Sequence, residues 1–244
     1  MPLWKPVALC SLALLGLSAS VLLNCGGSAK RDGNGGKPDG SNNGGNDHQL
    51  SRTFDGDKAF TYLTDQVNFG FRIPGTTEHD KCGDYIVSTL KGFGWDVEEQ
   101  TFSATVRGQS LPMRNIVARL GWVSGSRDNV MIAAHWDTRP WADQDNPSNQ
   151  SKPVPGANDG ASGVAVLLEL ARIFSQTKPL VGVELVFFDG EDYGPELSAM
   201  FIGSKYFADR LSIARINGYR WGVLLDMIGD SDLRSVRDAR LRRP

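Results

Sequence analysis

The chain has 244 residues, 40% hydrophobic and 22% charged, enough to bury one proper core but hardly two. A formal net charge of -2 gives no electrostatic footprint for nucleic acid, so small molecules or peptides are the expected partners. Of three cysteines only Cys82 falls in the body of the chain, so no internal disulfide framework is expected.

Lys5 precedes an uncharged apolar stretch from Val7 to Leu23, which reads as an export signal. The stretch runs into Leu22, Leu23, Asn24 and Cys25, which resembles a bacterial lipobox whose cysteine is lipidated, with Asn24 where a small residue is usual. Residues 1–25 are therefore expected to send the chain out of the cytoplasm. The product is periplasmic, membrane-anchored through a lipidated Cys25, or secreted; plain cleavage near Ala19 or Ser20 and an uncleaved anchor are the alternatives. Residues 26–50 are rich in Gly, Asn, Ser and Asp and read as a flexible tether, with His48 a solvated linker residue.

Residues 51–244 form the expected catalytic domain. Ala59, Phe60, Leu63 and Val67 share one helix face after Asp55 or Asp57 as cap, and Ile86, Leu90 and Phe93 continue a second helix that stops at Gly94. His79 falls in the loop opening that helix and reads as a surface residue, and Cys82 as a small buried side chain. Strands are expected at Trp95 to Val106, Asn115 to Leu120, Asn129 to Ala134, Gly182 to Phe188 and Trp221 to Leu225. Helices are expected at Gly160 to Phe174 and around Ser204 to Leu211. The fold class is α/β, a mixed and mainly parallel sheet sandwiched by helices.

Polar residues punctuate this order at the ends of strands. They are His135 in AAHWDT, Asp159 in GANDGASG, Glu191 and Asp192 in FFDGED, and Asp226 in LLDMIGD. Ligands in open α/β sheets bind beyond the carboxyl ends of the strands, so four separate segments are expected to converge on one cleft. Each alone has an ordinary reading: His135 as a hydrogen-bonded structural residue, Asp159 as a helix cap, Glu191 and Asp192 as a solvated turn. A carboxylate at Asp226, ending so apolar a strand, needs a partner or a metal.

The series AAHWDT, GANDGASGVAVLLELAR, ELVFFDGED and VLLDMIG, with FRIPGTTEHDKCGDYIVSTLKGFGW ahead of it, resembles the glutaminyl-peptide cyclotransferases (glutaminyl cyclases) and the related zinc aminopeptidases that share their fold. FFDGED, the insertion YGPELSAMF and LLDMIG favour the cyclases. The resemblance implies one zinc held by Asp159 and Asp192, Asp192 standing where the family has a glutamate. It also implies Glu191 as general acid and base, Asp226 holding the transferring amide, and a peptide with N-terminal glutamine as substrate. As an aminopeptidase, the chain would instead act on a free N-terminus with two zincs bridged by Asp159, His135 and Asp192 each binding one, Asp226 helping to hold one, and Glu191 activating water. A catalytically dead peptide-binding domain is the third reading.

Both enzymes need one more ligand, a histidine well downstream in the family, and no histidine follows His135 here. The tail Asp230 to Pro244 carries Arg234, Arg237, Arg240, Arg242 and Arg243 with little to bury. It looks like a truncation or a shift of reading frame; a solvated helical end and a basic tail for anionic lipid or nucleic acid are the alternatives. Two carboxylates without a histidine bind zinc poorly, so low or no activity, an open sheet edge and aggregation are expected.

Overall fold

Asp55 caps the first helix, α1 (Gly56–Asn68), its carboxylate accepting from the N–H groups of Asp57 and Lys58, and Thr76 caps α2 (Thr77–Gly92) by accepting from His79 N–H. The computed structural model that shows this describes residues 53–233. The export segment, Cys25, the tether with His48 and the arginines from Arg234 onward lie outside the described residues. Capping at Thr76 starts α2 early enough to carry His79 and Cys82 inward. His79 is thus not the surface loop residue expected: it is 2% exposed. Cys82 is fully buried, and that burial pushes its thiol up to about 12.

β1 (Asp96–Val106) and β2 (Gln109–Leu120) pair antiparallel around Arg107 and Gly108, both at positive φ, as a two-residue hairpin of matching twist requires. β2 begins six residues ahead of the expected Asn115, because its first half pairs with β1 while staying largely exposed and so leaves no apolar run to read. β3 (Asn129–His135), β4 (Gly182–Phe188) and β5 (Tyr219–Leu224) complete a sheet of order β1-β2-β4-β3-β5. β4 and β5 both pair parallel with β3, and β2 pairs antiparallel with both of its neighbours. Only β2 therefore runs against the rest.

Alternation along the strands gives the sheet two apolar faces. Ile116, Ala118, Val130, Ala134, Val183, Leu185 and Phe187 share a cluster with Ile86 and Leu90 of α2 and with Val164, Leu167, Leu168 and Ala171 of α3 (Ser162–Gln176). Val117, Ala133, Val186 and Phe188 turn the other way and meet Phe207 of α4 (Ile202–Asp209). Each such fully buried Leu, Ile or Phe contributes roughly 1.5–3 kcal/mol. Glu184 interrupts the second face. Fully buried, it accepts from Arg119 Nε at 2.7 Å, from Arg215 Nη2 at 2.5 Å and from the Tyr219 hydroxyl. Its charge is thereby paired as burial demands, and β2, β4, β5 and the short α5 (Ile213–Ile216) are tied at one point. β3, β4 and β5 all end on the opposite edge, at His135, Phe188 and Leu224.

Candidate active site

Three loops and one helix start meet at that edge. His135 closes β3, Glu191 and Asp192 follow β4, and Asp226 follows β5. Asp159 does not cap α3 as a simple N-cap; it sits at φ -83°, ψ 109° inside the distorted turn Ala157–Ala161 that leads into the helix. The next residue, Gly160, has φ 86°, and a Cβ there would lie 3.0 Å from the carbonyl oxygen of Asp137, so only glycine lets the turn approach the β3 loop this closely. Buried Arg72 fastens the same two segments, donating to the carbonyls of Trp136 (3.3 Å), Pro155 (3.0 Å) and Gly156 (2.6 Å).

His135, Asp159 and Asp226 each offer one donor atom, and the three atoms lie within 4.8 Å of one another. His135 Nε2 is buried and lies 2.9 Å from Asp159 Oδ1 and 3.5 Å from Asp226 Oδ1. These three side chains could together hold a metal ion. One nitrogen and two oxygens also match the donor set and count of a catalytic zinc site. Burial works against protonation of His135, but Asp137, Asp159 and Asp226 outweigh it and raise its pKa well above the ordinary histidine value. The same proton holds the Asp226 carboxyl below its usual range.

Asp137, fully buried, organises the cluster. One oxygen lies 3.4 Å from His135 Nδ1 and accepts from Glu191 N–H at 3.0 Å, and the other accepts from Asp192 N–H at 3.1 Å. Burial opposes its ionisation, but His135 and these two N–H groups prevail and keep its pKa low. It fixes the ring of His135 and the backbone of the Glu191 loop in one contact. Glu191 itself is 15% exposed, with Oε2 3.7 Å from His135 Nδ1. Burial pushes its carboxyl up to about 7; His135 pulls against this, while Asp137, Asp226 and Asp192 add to it.

Asp192 is not part of the group of three. Burial and then the Asp159 charge raise it to about 6, partly offset by Arg139, whose Nη1 donates to its Oδ1 at 2.5 Å. Arg139 also donates to both oxygens of Asp143. The structure thus groups Asp159 with His135 and Asp226, and places Asp192 in an arginine pair beside them. Behind the site, His79 Nε2 lies 2.9 Å from Asp189 Oδ1, and its ring stacks on Trp136 at 4.1 Å. Asp137, Arg139 and the His79–Asp189 pair were not among the expected site residues. Only the first has a local signal, the His-x-Asp spacing of AAHWDT.

Known proteins resemble this chain in sequence and fold. The profile of peptidase family M28 matches residues 115–237. The chain is 32% identical over 178 residues to a glutaminyl-peptide cyclotransferase of Drosophila melanogaster, covering 66% of this chain and 45% of that protein. It superposes on glutaminyl cyclase of Porphyromonas gingivalis with a TM-score of 0.67 and 45% identity, covering 73% of this chain and 63% of the other. A leucine aminopeptidase precursor from Bacteroides thetaiotaomicron gives a TM-score of 0.68 and 39% identity over 74% of this chain and 64% of the other. The chain spans less than half the length of the fly relative and under two thirds of each solved chain. That profile spans half of the chain, and the chain belongs to peptidase family M28.

Proposed function

We propose that this chain cyclises an N-terminal glutamine to pyroglutamate with release of ammonia. The carrying observation is Glu191: a carboxyl raised to about 7, next to a cluster built for a cation, is poised to take and return a proton at neutral pH. Asp159, which neighbours both His135 with Asp226 and Asp192 with Arg139, would hold zinc on either side. Bound zinc supplies Lewis-acid polarisation of the carboxamide carbonyl. The α-amine nitrogen attacks the γ-carboxamide carbon, Glu191 accepts the proton that the amine loses, and the carbon–nitrogen bond of the amide breaks as Glu191 returns that proton to the leaving ammonia. Asp226, half-exposed at the cleft, orients the amide by accepting from its N–H groups.

A second reading rests on the His135, Asp159 and Asp226 grouping, which is the set a two-zinc aminopeptidase uses for one of its metals in the scheme set out above. Products separate the readings. Zinc-loaded protein given a Gln-initiated peptide is expected to release ammonia and pyroglutamyl peptide. Free glutamine instead supports the aminopeptidase, and neither product supports a peptide-binding domain without turnover. Zinc content distinguishes them too, one ion for cyclisation and two for peptide hydrolysis. We further propose that residues 1–25 export the chain and that Cys25 carries a lipid. Membrane fractionation of the Cys25→Ala chain tests this, with release into the soluble fraction expected.

A further inference from the structure

A cavity of about 410 Å³ is lined by Arg107, Gln109, Trp141 and Tyr193. Two of its walls follow site residues in the chain: Tyr193 comes directly after Asp192, and Trp141 two residues after Arg139, the residue bonded to Asp192. Consecutive Cα atoms are about 3.8 Å apart, so the backbone of these two walls starts within one or two steps of Asp192 and Arg139. Trp141 and Tyr193 meet edge to face, ring centroids 5.6 Å apart at 88°, which makes a rigid aromatic corner.

The charge balance of that corner is uneven. Arg139 is matched by Asp192 and Asp143. Arg107, at the tip of the β1–β2 hairpin, lies with its guanidinium carbon 4.9 Å from the Trp141 ring centroid, and among the described residues no carboxylate pairs with it. An arginine laid on an indole keeps its planar fork pre-organised and less hydrated, the arrangement that suits a carboxylate.

We propose that this cavity binds a carboxylate carried by the peptide just beyond its first residue, the aromatic corner covering the adjoining methylenes and Arg107 taking the two oxygens. This rests on the cyclisation reading for which end of the peptide enters the cleft. The carboxylate has two sources, an acidic second side chain or the free C-terminus of a dipeptide. Calorimetry on the zinc-loaded full chain, with Glu191→Gln to prevent turnover, compares Gln-Glu-amide, Gln-Gln free acid and Gln-Gln-amide. At least one of the two charged peptides is expected to bind about five- to tenfold more tightly than the amide, and the one that does names the source. Arg107→Asn, tolerated at this positive φ, is expected to erase that advantage, and Arg107→Lys to keep part of it. Equal affinity for all three peptides, or an advantage that survives Arg107→Asn, overturns the assignment. Ammonia release by the native chain is the separate arm. Its absence with the advantage intact overturns the cyclisation reading alone, and turnover without any advantage overturns the cavity alone.

Discussion

Glu191 is lifted toward neutrality first by its burial and then by three neighbouring carboxylates, so its properties belong to the tertiary arrangement and not to the FFDGED string. As the base that accepts the amine proton it must be ionised in the free enzyme. The pH profile of kcat/KM should therefore fall on the acid side with a limb at or below about 7, since a bound cation pulls a neighbouring carboxyl downward. Without metal the same shift has a stability cost. A carboxyl whose folded pKa is raised from 4.5 to about 7 makes the folded state bind more protons, so stability is lost as pH rises through that window. Glu191→Gln should make the metal-free protein more stable above pH 7, by on the order of 2 kcal/mol in urea unfolding, with no gain near pH 4. That the four motif segments would meet was legible in their order along the chain. That Asp137 and not Asp192 would sit at the hub was not, because it takes the folded backbone to bring the N–H groups of residues 191 and 192 onto one carboxylate.

Elements were legible where burial is continuous and illegible where it is not. Gly182–Phe188 carries an unbroken buried run and matches its expected limits, whereas the exposed first half of β2 is visible only through its pairing with β1. His79 was misplaced because its neighbours Glu78 and Asp80 are charged, and only the stack on Trp136 and the bond to Asp189 draw it inward. The turn Ala157–Ala161 is the element on which the site depends most, since it presents Asp159 to His135 while Gly160 clears the Asp137 carbonyl. Gly160→Ala combines a left-handed backbone with a 3.0 Å contact and should cost about 1–3 kcal/mol. Zinc affinity should fall with it, measured by competition with a chelating dye. A fully folded Gly160→Ala protein with unchanged zinc affinity would show that the turn does not position Asp159.

Across the whole molecule, the sheet has opposite ends with different tasks. At one, Glu184 is locked between two arginines and a tyrosine, and at the other the carboxylates crowd around a single histidine. β5 pairs only with β3, and no other strand among the described residues covers its outer edge, where Trp221 is 49% exposed. Trp221→Lys should lower concentration-dependent association in light scattering without changing the melting temperature by more than about 2 °C. The mechanism requires a cation against Asp159 with Glu191 at hand to move a proton. Anomalous diffraction at the zinc edge from zinc-soaked crystals locates that cation. A peak touching Asp159 together with His135 and Asp226, or with Asp192, is the predicted result, and crystals in which zinc binds elsewhere and leaves Asp159 bare would contradict it.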